Sequence, residues 1–144
     1  MKYRIYLDNC CFNRPYDDQT QLGISIETLA KLHIQGLVIE NRVELVWSFI
    51  LKFENSRNIF SGKRKAIAQW EKLSSFFIEM SQDIRTVARE IMATGIKEAD
   101  AAHVACAIAG NCEYFITVDK RLLKYRDKRI VICNPVEFIN SIEI

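Results

Sequence analysis

Short runs of β-forming residues alternate with helical stretches along this 144-residue chain, and two of those runs end on an aspartate. YRIYLD closes on Asp8 and YFITVD on Asp119. Strands separated by helices pair in parallel, because a parallel pair needs a crossover of a dozen or more residues, usually a helix. The pattern therefore predicts an α/β fold with a mainly parallel sheet. Strands are expected at 3–8, 43–47, 76–80, 114–119 and 129–133, and helices at 19–40, 48–58, 63–75, 83–94, 98–109 and from Pro135 onward. NCCFNRPYDD reads as loop, since Pro15 and the Asn/Asp cluster break any period. Asp18 and Gln21 have the spacing of a capping box at the head of the first long helix. Leu22, Ile26, Leu29, Ala30 and Leu37 form its apolar stripe, and Ile24, Ile34, Val38 and Ile39 extend beyond it. Phe49 and Phe53 are expected on one stripe of the next helix. Gly62 is expected to break it from a helix carrying Ile67, Trp70 and Leu73.

A chain of this length is expected to form a single domain, 1–144, with a core large enough to need no disulfide. No apolar run approaches 18 residues, so no membrane span is expected. Lys2, Arg4 and Asp8 interrupt the first residues, which leaves no secretory leader and points to the cytoplasm. The five cysteines include the adjacent pair Cys10–Cys11 and form no C-x-x-C, so reduced thiols are expected. His33 and His103 complete no zinc spacing.

In an open parallel sheet, ligands bind beyond the carboxyl ends of the strands, where the strand order reverses. Asp8 and Asp119 both stand at strand ends. Bare carboxylates ~4 Å apart repel by about 4 kcal/mol at an effective dielectric of 20, so such a pair needs a proton or a cation between its members. Hard oxygen donors without a Cys/His set favour Mg²⁺ or Mn²⁺. The alternative is that each aspartate caps the turn that follows it. Asp100 heads the alanine-rich helix of KEADAAHVACAIAG, whose small residues let it lie close to a sheet. Its alternative role is a favourable contact with the helix dipole. Glu54 lies in a helix that can approach the same edge. His103, three residues after Asp100, can orient that carboxylate or sit satisfied at the helix–sheet seam.

Three segments resemble the PIN-domain family of small metal-dependent ribonucleases: YLDNCCFNRPYDD, VWSFILKFEN and GIKEADAAHVACAIAGNCEYFITVDKRLL. The last is the most specific, with an Asp heading an Ala-rich helix, a Gly break, and an apolar strand ending in T-x-D. The resemblance implies a three-layer α/β/α sandwich with a mainly parallel sheet of about five strands. It implies four acidic catalytic residues, Asp8, Glu54, Asp100 and Asp119. Asp8, Asp100 and Asp119 would hold Mg²⁺ or Mn²⁺, with Asn9 and Thr117 as supporting polar groups. Val118 stands where the family often has Asn, and CCFNRP departs from the usual loop. The NRP…DD loop looks like the branch that holds VapC-type toxins, which implies RNA as substrate, an antitoxin partner and a homodimer.

A nuclease needs cations near its acidic site. Residues 120–129 hold six Lys/Arg and one Asp, Lys63–Lys65 form a second cluster, and Arg14 follows Asp8. Arg14, Lys120, Arg121 and Lys124 are the candidate RNA contacts. The alternative is a solvated charged surface, and a net charge of +2 does not decide between the two. The competing function is a non-catalytic PIN-like module that binds RNA or protein. A thiol-redox role for Cys10–Cys11 is weaker, because adjacent cysteines rarely form a relaxed disulfide.

Overall fold

The computed structural model describes residues 2–142. In chain order it holds β1 (Tyr3–Leu7), α1 (Asn9–Asn13), a 3-10 turn (Arg14–Tyr16), α2 (Leu22–Ile39) and β2 (Val43–Ser48). Then come α3 (Phe49–Ser56), α4 (Ser61–Leu73), β3 (Phe76–Ile78), α5 (Gln82–Met92) and α6 (Glu98–Ala109). β4 (Tyr114–Ile116), a 3-10 turn (Leu122–Lys124), β5 (Val131–Cys133) and α7 (Pro135–Ser141) complete it.

The strands pair in the order β3-β2-β1-β4-β5, and every strand pairing is parallel. Ile5 sits opposite Leu45 on one side and Tyr114 on the other. β1, β2 and β3 step one way across the sheet, and β4 and β5 lie on the other side of β1. Right-handed crossovers then place α2 and α4 on one face and α5 and α6 on the other. α7 returns against α2. The result is the expected α/β sandwich, and its strand order reverses between β1 and β4. Ile5, Tyr6, Val46, Phe115 and Ile116 at the sheet's centre are fully buried. Ala101, Ala105 and Ala107 let α6 lie close over it. Gly110 ends that helix so near β2 that an added Cβ would stand 3.1 Å from Val46 Cγ1.

Several local expectations give way to tertiary packing. NCCFNRP is not a plain loop: Asp8 caps α1, and burial of Cys11 and Phe12 holds this short helix in place. Asp18 caps its own turn through Thr20 instead of closing a capping box, and α2 starts at Leu22 without a side-chain cap. Leu22, Ile26 and Leu29 are exposed, while Thr28, Ala30, Lys31, Ile34, Gln35, Leu37 and Val38 face inward. Polar side chains thus occupy part of the buried face, which an apolar stripe does not register. α2 is also long and apolar enough to cross a membrane, a length the sequence reading did not find; here it packs against β2 and α7. On α3 the buried pair is Leu51 and Asn55, and Phe53 is exposed. Gly62 lies in the first turn of α4, where the end of a helix is already frayed, so the break comes earlier, at Arg57–Phe60. Leu73 is exposed at the end of α4. β3 and β4 stop short of Met80 and Asp119, and β5 begins at Val131.

Candidate active site

Asp8 leaves β1 at the sheet's switch point and is 5% exposed. One carboxylate oxygen accepts the Asn9 amide at 2.8 Å. The other accepts the Thr117 hydroxyl at 2.9 Å and the Cys10 thiol at 3.4 Å. Thr117 lies just past β4, fully buried, and its Oγ1 accepts the Asp119 amide at 3.1 Å. A single hydroxyl therefore ties together the ends of β1 and β4 and both aspartates. Asp119 Oδ1 accepts the amides of Arg121 and Leu122 at 2.8 and 3.3 Å. Both aspartates thus cap the turns that follow them, as the alternative reading expected. For Asp119 that role uses one oxygen.

Asp100 sits half-buried in the first turn of α6. Burial raises its pKa above the ordinary carboxylate value, and the negative charges of Asp8 and Asp119 raise it further, against the pull of His103 and Lys97. Three carboxylates therefore share one electrostatic neighbourhood. Among the described residues, no Lys or Arg forms an ion pair with any of the three.

Glu54 stands apart from that trio. Its Oε1 lies 2.7 Å from His103 Nε2. His103 is 1% exposed, and its Nδ1 is 2.6 Å from the Tyr6 hydroxyl, which is 2.6 Å from Ser48 Oγ. His103 is thus a satisfied residue at the helix–sheet seam, and the carboxylate it orients is Glu54 rather than Asp100. Burial pulls the His103 pKa down. The hydrogen bond to Glu54 and the charges of Asp8, Glu54 and Asp100 outweigh it and leave the net shift upward. Tyr6, Ser48 and Cys10 were missed by sequence reasoning. Ser48 carried a signal, since a serine between a strand and a helix is a natural N-cap, and its Oγ accepts the Leu51 amide.

Asn9 gives its backbone amide to Asp8, and its side chain lines a cavity of about 200 Å³ with Asn13, Glu54, Asn58 and Lys63. Arg14 is occupied by Glu27 and Asp17 at 3.0 Å each. Lys120, Arg121 and Lys124 follow Asp119, are exposed, and form no ion pair among the described residues. Arg129 is locked to Asp127 and Glu90, and Arg126 to backbone carbonyls. Tyr125 donates its hydroxyl to Asp127 at 2.6 Å, so its phenol end is committed to the turn.

Among the described residues, no three His, Cys, Asp or Glu side chains stand close enough to form a metal cage as they are. Mg²⁺ seldom uses such a cage; it keeps several waters and takes one or two carboxylates. Oxygen donors of like charge, one with a raised pKa and none paired with a Lys or Arg, fit a hydrated hard cation of that kind, with His103 Nε2 the nearest base at 3.9 Å from Asp8 Oδ1.

The family profile described as PIN domain matches residues 5–128. No curated protein matches. Ten chains of solved structure do. One comes from the crystal structure of VapBC2 from Rickettsia felis bound to a DNA fragment from their promoter. It is 14% identical, covers 91% of this chain and 98% of its own, and superposes with a TM-score of 0.56. That likeness is one of fold.

Proposed function

The chain belongs to the PIN domain family, and on that premise we propose that it is a Mg²⁺- or Mn²⁺-dependent endoribonuclease acting through Asp8, Asp100, Asp119 and Glu54. The observation that supports the reading is that Thr117 ties Asp8 and Asp119 together at the ends of β1 and β4, and that burial and the charges of both aspartates raise the Asp100 pKa. PIN domains are typically divalent-metal-dependent nucleases, and this donor set has the matching chemistry.

In the proposed mechanism Asp8, Asp100 and Asp119 would hold the ion together with its waters. When bound, it polarises the phosphate and lowers the pKa of a coordinated water. Thr117 and the Asn9 amide fix the Asp8 oxygens, so the carboxylate is already oriented before substrate arrives. His103 holds Glu54 Oε1 and leaves Oε2 to accept a proton from the attacking water. The water oxygen would bond to phosphorus as the bridging P–O bond breaks, and the leaving oxygen would take a proton from solvent water. Lys120, Arg121 and Lys124, exposed beside Asp119, neutralise flanking phosphates. We extend the proposal to a cytoplasmic toxin that forms a homodimer and is held in check by an antitoxin, in keeping with the resemblance to VapC-type proteins. Exposed Leu22, Leu29 and Ile39 on α2 offer apolar surface for such contacts. The second reading, a PIN-like module that binds RNA or protein without cutting, draws on the capping roles of Asp8 and Asp119.

The test is cleavage of a mixed RNA panel with Mn²⁺, Mg²⁺ or EDTA, comparing wild type with Asp100→Asn. Metal-dependent cutting that the variant loses is the expected result. No cutting, together with no metal binding by calorimetry, would replace the nuclease by the binding module.

A further inference from the structure

Two large apolar side chains stand in solvent on the turn between α3 and α4, Ile59 at 84% exposure and Phe60 at 63%. Single exposed apolar residues are ordinary. Phe60, however, walls the cavity of about 200 Å³ that Asn9 and Glu54 also line, so an aromatic ring and two residues of the candidate active site face one space. The rest of the wall is polar. Asn13 Nδ2 donates to the Asn9 carbonyl and to Asn9 Oδ1 at 2.9 and 3.3 Å, which leaves Asn9 Nδ2 and Asn13 Oδ1 unused. Asn58 Oδ1 accepts the Phe60 amide at 3.1 Å, which leaves Asn58 Nδ2. Asn55, 7% exposed, backs the cavity; its Nδ2 donates to the Arg64 carbonyl, and its Oδ1 is buried with no partner among the described residues. Arg57 and Lys63 complete the lining and form no ion pair among the described residues. Each lies over an aromatic ring, Arg57 over Phe53 at 5.5 Å and Lys63 over Tyr16 at 5.1 Å. The cavity thus offers amide donors and acceptors, one stacking face and two uncompensated cations beside Glu54.

We propose that this cavity is a nucleobase subsite, which takes one unpaired base of single-stranded RNA next to the phosphate held at the acidic site. The inference rests on RNA being the ligand of that site. The base lies against Phe60, its edge meets the free amide groups of Asn9, Asn13 and Asn58, and Arg57 and Lys63 neutralise the adjoining phosphates. The size fits one ring system, since a cavity of about 150 Å³ takes benzene. The chemistry favours a base over an apolar side chain of a protein partner, because amides covered by an apolar group lose water and gain no hydrogen bond. A phosphate alone would leave Phe60 and the asparagines uncovered and would stand against the Glu54 carboxylate. A duplex keeps its bases stacked and paired, so it offers neither a free face nor a free edge, whereas a single strand offers both. Lys63, from the second basic cluster of the sequence, thereby joins Lys120, Arg121 and Lys124 as a phosphate contact.

The test measures binding to the full chain in EDTA, where no metal-dependent cutting occurs, by fluorescence anisotropy of a labelled single-stranded RNA of mixed sequence. An abasic strand of the same length and a duplex of the same sequence serve as comparison probes. The single strand is expected to bind at least about tenfold more tightly than either. Phe60→Ala should lose that preference and keep the affinity for the abasic strand, since it leaves the cations in place. Phe60→Trp should restore it, which a merely structural role of Phe60 would not do. Phe60 is exposed, so the fold is retained in both variants, and a melting curve checks this. Adenosine 5′-monophosphate should shift the side-chain amide resonances of Asn9, Asn13 and Asn58 by NMR, and ribose 5-phosphate should leave them in place. An abasic strand or a duplex bound as tightly as the single strand would overturn the proposal. If RNA is cut in Mn²⁺ and Phe60→Ala binds and cuts it as wild type does, the subsite falls and the nuclease reading stands. Base-dependent binding lost in Phe60→Ala, with no cutting by wild type, keeps the subsite and replaces the nuclease by the RNA-binding module.

Discussion

Replacing Lys31 by methionine is expected to stabilise the protein at neutral pH, and by an amount that shrinks as pH rises. The Lys31 pKa falls from 10.5 to about 8, with burial as the largest cause. At about 1.4 kcal/mol per pH unit, folding disfavours the charged amine by roughly 3 kcal/mol. Contacts with Phe12 and Trp70, lost in the variant, return about 1 kcal/mol. A net gain of about 2 kcal/mol remains, or about 6 °C in melting temperature for a chain of this size. The sign of the pH dependence follows from proton counting. Below pH 8 the lysine is protonated in both states and the full penalty stands. Between about 8 and 10.5 the unfolded chain holds the proton that the folded protein has released, so wild type regains stability as pH rises. Above 10.5 both states are neutral and the penalty is gone. Buried thiols act in the opposite sense. Cys106, Cys112 and Cys133 are pushed up to about 12, chiefly by burial, so their contribution is lost as pH climbs above the unfolded thiol value. The informative quantity is therefore the difference between the two proteins, which share those thiols. Urea unfolding of both at half-unit steps from pH 7 to 10.5 measures it. A difference that stays constant across that range, or a variant less stable at pH 7, would refute the reasoning.

Tyr6→Phe is expected to cost about 2 kcal/mol, because it leaves His103 Nδ1 and Ser48 Oγ buried without the hydroxyl that lies 2.6 Å from each. Urea unfolding reads that loss, and the same variant should cut RNA more slowly, since His103 no longer holds Glu54 firmly. An unchanged unfolding midpoint would show that the two partners find other hydrogen bonds. Asp100→Asn in EDTA should melt above wild type, because it removes a carboxylate that burial, Asp8 and Asp119 all disfavour. Added Mn²⁺ should raise the wild-type melting temperature and leave that of Asp100→Asn nearly unmoved. Equal Mn²⁺ shifts in both would take Asp100 out of the metal site.

The sheet was legible because its strands are short, apolar and closed by polar residues; the strand order was not, because right-handed crossovers fix the face each helix covers and not which strands are neighbours. What pattern reading missed is where tertiary contacts override local preference. Asn9–Asn13 is too short for a period to show, and it is helical because Asp8 caps it while Cys11 and Phe12 are buried beneath it. Of the stripe Leu22, Ile26, Leu29, Ala30 and Leu37 the core takes Ala30 and Leu37, and with them Lys31 and Gln35, while Leu22, Ile26 and Leu29 stay exposed. Hydrophobicity ranks faces by composition and is blind to a polar side chain that lies inward.

The candidate site divides along the same line. Asp8 and Asp119 could be placed from sequence because strand ends at a switch point are fixed by topology. Asp100 followed because an alanine-rich helix can approach that edge. The partner of His103 could not be placed, because two carboxylates compete for it: Asp100 three residues back on its own helix, and Glu54 far away in sequence. Helical geometry favours the near one. The near one, however, is in the first turn, close to Asp8 and Asp119, while His103 lies one turn further along α6. There its ring meets Tyr6 of β1 at one nitrogen and Glu54 of α3 at the other. Had His103 paired with Asp100, it would have neutralised the carboxylate that completes the acidic trio. By taking Glu54 at 2.7 Å instead, it leaves Asp100 without a hydrogen-bonded base, while its Nε2 also lies 3.9 Å from Asp8 Oδ1. The division of labour in the proposed mechanism, three groups for a cation and one for a proton, rests on that choice of partner.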